Sequence, residues 1–306
     1  MNVNWKTISP QAIEEKRNLT MQKMTFLSAA VGIVLFWQAE SPAIPLKSEK
    51  YAFAINPNQT LEVELNIQYS SNFRIRPNTD AKQVTVKLDY DTDYLTSEVH
   101  FDRETNHLNV ELTGESWKDN WSDDSKRGEC TVYLPAGVPI DLESDSKVGE
   151  IDFELGGLSL KFIHLEVFAG SVQIRFRKPN GIVLEDFDIS GKVGELDLQQ
   201  FGNARFQTGV IETGVGEMDL DLSGVSVDFP QDLNVEFKIG DANILLPRHR
   251  PIKLRVSKLL FLTQIDLPPQ FEKRGSAYFF RAEKGSKNLL YVRVSAGLGN
   301  LSVDFE

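Results

Sequence analysis

The phrase KVGEIDFEL at 147–155 returns as KVGELDLQQ at 192–200. In both copies a glycine opens a run in which apolar and polar residues alternate. The same glycine stands at Gly149, Gly170, Gly194, Gly216 and Gly240, at spacings of 21 to 24 residues, and the closing phrase AGLGNLSVDF at 296–305 adds Gly299. After each glycine the second and fourth residues are apolar, as in Ile151 and Phe153, Leu196 and Leu198, Met218 and Leu220. Strict alternation is the mark of a strand with one face buried. A unit this short cannot bury its own apolar face, so it must stack on its neighbours. For strand-only units the stacked object is a β-solenoid, or a sandwich of stacked coils, with equivalent strands paired in parallel about 4.8 Å apart. The glycine then serves at the coil corner, where a positive φ or a bulge re-aims the chain.

The rest of the chain agrees with an all-β fold. LEVELNI (61–67), VTVKLDY (84–90) and LNVEL (108–112) alternate in the same way, and NPNQ (56–59) and RPNTD (76–80) supply turns. No convincing amphipathic helix follows residue 50. The pattern predicts an N-terminal β-rich capping region over 44–135 and glycine-punctuated coils over 136–306. The phrase lapses between 246 and 296, where 253–267 reads as a degenerate coil and 268–288 as an irregular insertion or hairpin. The 268–306 region is expected to close the far end of the stack.

The first 43 residues read as an address. TFLSAAVGIVLFW (25–37) is an apolar run preceded by Lys16, Arg17 and Lys23, and it is short for a membrane span, which needs about twenty residues. Small residues at Ser41 and Ala43 suit cleavage after Ala43. Residues 1–43 are therefore expected to be a signal peptide or, alternatively, a retained N-terminal anchor. The single cysteine, Cys130, excludes an internal disulfide and a cysteine-based zinc cluster. A net charge of −11 argues against a general nucleic-acid binder.

Four stretches carry a resemblance to a known group. They are CTVYLPAGVPIDLESDSKVGEIDFEL (130–155), LKFIHLEVFAGSVQIRF (160–176), FQTGVIETGVGEMDLDLSG (206–224) and YVRVSAGLGNLSVDF (291–305). Together with SWKDNW (116–121) just before the coils, they resemble the putative-adhesin and toast-rack group of bacterial envelope β-repeat proteins. That group includes the C-terminal domains of LiaF-like envelope-stress proteins. The resemblance implies a toast-rack-like stack, an exported envelope location at the periplasm or cell surface, and no catalytic residues or cofactor.

Chemistry in the sequence is sparse. If the coils align on their glycines, Glu150, Glu195, Glu217 and Asp241 share one ladder position, and Asp152, Asp197 and Asp219 the next. Such a ladder reads first as a solvated acidic face. Glu195, Asp197, Glu217 and Asp219 are the candidates for a hard cation such as Ca²⁺, or for the paired acids of a glycosidase. The 141–246 stretch holds 20 acidic and 8 basic residues, whereas 247–293 holds 11 basic and 3 acidic. Arg248, Arg250, Lys253, Arg255 and Lys258 form the centre of that basic segment, a candidate patch for anionic polymer or lipid headgroups. The charge imbalance also suits homo-oligomers joined through the solenoid ends. Trp117 and Trp121, in a polar loop, are candidate aromatic contacts for a sugar or a protein partner. The four histidines lack ligand spacing, and no phosphate-binding loop, nucleophile elbow or metalloprotease motif occurs. The expected function is a non-catalytic adhesin-like or scaffold module that binds an envelope protein or anionic polymer. A membrane-anchored envelope-stress component and a carbohydrate-active β-helix enzyme are the alternatives.

Overall fold

Each glycine-centred phrase forms the second half of one long bent strand, and the strands pair glycine to glycine. The computed structural model describes residues 46–114, 128–258, 263–282 and 287–306. In chain order the first strands are β1 (Lys47–Ala54), β2 (Leu61–Asn78), β3 (Gln83–Tyr90), β4 (Leu95–Asp102), β5 (His107–Gly114) and β6 (Gly128–Pro135). Long strands follow: β7 (Pro139–Glu154), β8 (Ser159–Arg175), β9 (Leu184–Gln199), β10 (Phe206–Asp221) and β11 (Gln231–Leu246). The chain ends with β12 (Ile252–Lys258), β13 (Thr263–Asp266), β14 (Glu272–Arg274), β15 (Ala277–Phe280) and β16 (Leu290–Phe305). Among the described residues the only helical turn is Phe201–Ala204.

The long strands β2, β7, β8, β9, β10, β11 and β16 lie side by side in parallel, in that order. Each has a first arm, a corner and a second arm. The corner glycines form a ladder in which Gly149 pairs with Gly170, Gly170 with Gly194, Gly194 with Gly216, Gly216 with Gly240 and Gly240 with Gly299. Their φ angles lie between 130° and 151°, which L side chains rarely adopt. A Cβ on Gly194 would also overlap the carbonyl oxygen of Gly170, and the same overlap recurs at each later rung. Glycine is thus fixed twice, by the turn of its own backbone and by the approach of the rung beneath.

Inward residues of both arms belong to one hydrophobic cluster. In β9, Leu184, Phe187 and Ile189 of the first arm and Leu196 and Leu198 of the second are all buried. Phe201, in the return turn, meets Phe187 edge-on with ring centroids 4.9 Å apart, and meets Phe176 at 5.2 Å. Such offset aromatic contacts add to the area that burial removes from water. Asn180 and Asn203 satisfy the returns: Asn180 donates to the carbonyls of Leu160 and Ile182, and Asn203 to that of Phe176.

The structure corrects the expected layout at both ends. At the N-terminal side, β2 is not only part of a cap. Its first arm pairs with β7 from Leu61↔Ile140, and it turns its corner without glycine, through a register shift between Tyr69 and Asn72. β6 pairs in parallel with the second arm of β2, and β3 and β1 extend it in antiparallel pairs; β5 pairs in parallel with the first arm, with β4 antiparallel to it. At the other side, the closing phrase does not form the last coil. β16 inserts between β11 and β12, because it alone of the C-terminal strands keeps the glycine that continues the ladder. The degenerate coil lies outside it and carries Thr263 opposite Gly299. Its register advances five residues from Lys258 to Thr263 where β16 advances three, from Ala296 to Gly299. The expected insertion includes an antiparallel hairpin, β14–β15, laid on the edge of β12.

Candidate functional site

Parallel registry turns each outward residue into a column that runs the length of the stack. On the second arms the first column reads Glu150, Ser171, Glu195, Glu217, Asp241 and Asn300, and the second Asp152, Gln173, Asp197, Asp219, Asn243 and Ser302. Adjacent carboxylates in a column repel, and amides and arginines relieve most of the second column. Gln173 and Gln199 both donate to Asp197, at 2.9 and 2.7 Å, and Asn243 donates to Asp219 at 2.8 Å. Arg76 and Arg175 converge on Asp152. Among the described residues no group of three His, Cys, Asp or Glu side chains is placed to hold a metal ion. Of the four candidate carboxylates, Asp197 and Asp219 are thus held by neighbouring amides, whereas Glu195 and Glu217 face outward.

The first arms carry a stronger feature. A groove of about 530 Å³ crosses their outer face and includes the carboxylates of Glu62, Glu64, Asp141, Glu143, Asp186 and Asp188. His107 and His164 lie in it as well, with Phe162 as the apolar floor. His107 Nε2 stands 3.5 Å from Glu64, and His164 Nδ1 stands 4.0 Å from Asp188. Burial pushes the Asp141 carboxyl above its ordinary value, against the pull of Lys161, and nearby Glu62 and Glu185 add to the rise. One Asp141 oxygen is enclosed without a hydrogen-bond partner among the described residues. Sequence reasoning missed this groove, because its carboxylates come from three separate strands, β2, β7 and β9. The signal for it lies in the outward positions of the first half of each coil, before the glycine.

The basic segment does not form one continuous patch. Arg250 is 2% exposed, so it leaves the surface set. Its guanidinium donates to the carbonyls of Asn288 and Phe229 and to the side chain of Gln231, tying together three loops that converge at the start of the first arms. Burial pushes its pKa down to about 10, so it keeps its charge at neutral pH. Arg248 donates to the carbonyl of Glu306 at 2.6 Å and stacks on Phe305. Lys253 remains outward, 4.5 Å from the centre of the Tyr291 ring, and Arg293 covers the same ring while bonding Asp232. Burial raises the Tyr291 hydroxyl, but hydrogen bonds from Arg293 and Arg255 outweigh it and hold the group below its usual range. The first-arm face is thus acidic from β2 to β9 and basic at β16 and β12. Lys258 ends β12, and its side chain, Trp117, Trp121 and the 1–43 segment lie outside the described residues. Cys130 is buried in the core, where desolvation pushes its thiol far above the usual range. Such a thiol is inert.

Comparison with known proteins gives one family. Residues 44–199, half of the chain, match the family described as "N-terminal domain of toast_rack, DUF2154". No curated protein matches. Among solved structures, the chain is similar to a "putative cell adhesion protein" from Clostridium sporogenes ATCC 15579, at 19% identity and a TM-score of 0.44 over 85% of this chain and 100% of that one. It is also similar to a "putative adhesin" from Bacteroides fragilis NCTC 9343, at 11% identity and a TM-score of 0.32 over 84% and 97% of the two chains. A "putative lipid binding protein" from Parabacteroides distasonis ATCC 8503 aligns at 11% identity and a TM-score of 0.31, over 85% and 97%.

Proposed function

The chain belongs to the toast-rack family, and from that we propose that it is a non-catalytic, adhesin-like envelope module that binds an extended partner across its parallel strands. The observation that carries this reading is the first-arm groove, a rigid face whose side chains repeat at the strand spacing of about 4.8 Å. A partner lying along it meets one equivalent position per coil, so weak contacts sum through local concentration. Six carboxylates in and around one apolar floor favour a basic, extended segment of an envelope protein. The outward cations Lys253 and Arg255 at the other end of the same face fit an acidic stretch of that partner, or an anionic polymer. The location we propose is the exported envelope, with residues 1–43 as the export signal. N-terminal sequencing of protein recovered from the host's periplasm or surface should find a chain beginning near Ile44.

The binding test uses an oligolysine peptide as probe. Titration calorimetry at low salt should detect binding to the intact protein, with affinity that falls steeply as salt rises. Replacing Glu62, Glu64 and Glu143 together by glutamine should reduce that affinity at least tenfold. Equal binding by the triple variant, or no binding at low salt, removes the groove from the function.

A further inference from the structure

The corner of the stack carries an apolar ridge that the core does not use. From β8 onward the residue just before each ladder glycine reads Ala169, Val193, Val215, Ile239 and Leu298, one per rung in direct register. Val193 is 50% exposed, Val215 and Ile239 47% each, and Leu298 36%, while Phe168, beside the ridge, is 55% exposed. A single exposed valine needs no explanation, but a continuous apolar line does. Five rungs at about 4.8 Å make a line of about 19 Å.

The two flanks of the ridge differ in charge. On the first-arm side the preceding position reads Lys147, Phe168, Lys192, Gly214, Lys238 and Gly297. Lys192 reaches Glu166 of the first-arm face at 3.0 Å, which places its ammonium on that flank. On the second-arm side stands the column Glu150, Ser171, Glu195, Glu217, Asp241 and Asn300. The lysines and three of the acids fall on the same rungs: Lys147 with Glu150, Lys192 with Glu195, Lys238 with Asp241. Glu150, Glu195, Glu217 and Asp241 of this column are all exposed.

This pattern selects one kind of partner. We propose that the ridge is a self-association surface, on which a second copy of this chain lies alongside with its coils parallel and in register, about a two-fold axis along the stack. That axis brings ridge against ridge and the lysine flank of each copy against the acidic flank of the other. At zero shift all three lysines face an acid of the same rung. A slip of one rung either way leaves a single lysine facing an acid. A two-fold axis across the stack sets lysine flank against lysine flank. The narrow ridge puts the interface at the small end of specific contacts, so the dimer is weak and concentration-dependent. The surface is distinct from the acidic groove and leaves it open.

Sedimentation velocity of the full chain over a range of concentrations should show a monomer–dimer equilibrium. Val215→Asp should weaken it at least tenfold. Lys192→Glu should weaken it too, and Lys192→Glu with Glu195→Lys should restore it, because both copies then carry the swap. Ile239→Cys should give a covalent dimer on mild oxidation, since residue 239 meets itself across the axis and Cys130 is buried. A stack-reversing arrangement instead sets Ile239 opposite Ala169. Cross-linking only between Ile239→Cys and Ala169→Cys chains would overturn the proposal. So would a monomer at all concentrations, or association that Val215→Asp leaves unchanged while circular dichroism shows the variant folded.

Discussion

Asp141 shows how the face of a stack loads a single residue. Its carboxyl is partly withdrawn from water and faces Glu62 on the neighbouring strand, so its charged form is disfavoured in the folded state. The sign follows from linkage. A carboxyl whose folded pKa lies above its unfolded value holds its proton more tightly when folded. Its contribution to stability is complete below the ordinary carboxylate range and is lost as pH rises through the raised value. Asp141→Asn escapes that loss. The variant should melt higher than the parent at pH 7, and the gap should close on acidification as the parent's carboxyl protonates. Thermal melts across the acid range check this, and a gap that stays constant with pH would remove the titration from the account. Arg250 is the converse case, a charge taken inside because it satisfies three acceptors at once. A basic residue in a charged loop reads as surface from the sequence, and only the convergence of three loops reveals otherwise.

Within the long strand, the corner glycine and its neighbours divide the work. Gly194→Ala should cost about 3 kcal/mol or more, since the change forces a side chain into a positive-φ backbone and against the carbonyl of Gly170. Gly191→Ala, three residues earlier, meets open space and should stay within about 0.5 kcal/mol of the parent. Denaturant unfolding of the pair checks the contrast, and equal losses would show that the ladder geometry is not what demands glycine. This demand is why the stack was legible from sequence: the same steric conflict recurs at every rung and writes the same residue. The alternation after each glycine likewise gave the inward residues Ile151, Phe153, Leu196 and Leu198. β2 escaped the pattern because it turns its corner through a register shift without glycine. The acidic groove escaped it because only strand pairing sets Glu62 beside Asp141, and Asp186 one strand further on across Phe162.

At the scale of the molecule, the C-terminal strand is internal to the sheet. β16 pairs with β11 along its whole length on one side, and with β12 and β13 on the other. Ending the chain at Asn288 should therefore do more than trim an end. It exposes the edge of β11 from Gln231 to Leu246, uncouples β12–β15 from the stack and leaves a long unpaired template for aggregation. Hydrogen exchange on the truncated chain should show lost protection in β11 and β12, with β7 to β9 still protected, as nearest-neighbour stacking requires. Uniform loss would mean that the stack melts as one unit.

The placement of β16 also sets a schedule. A stack of coils can grow coil by coil as it is made, except at the point where the next rung in space comes later in the chain. Here the strands β12 to β15 leave the ribosome before the strand that must lie between them and β11. The nascent chain has to hold that seat open, or give up a provisional pairing, until the sixteen residues of β16 arrive. β16 is the keystone of this arch: the strands on both sides of it are made first, and a copy that stops short of it carries an open seam.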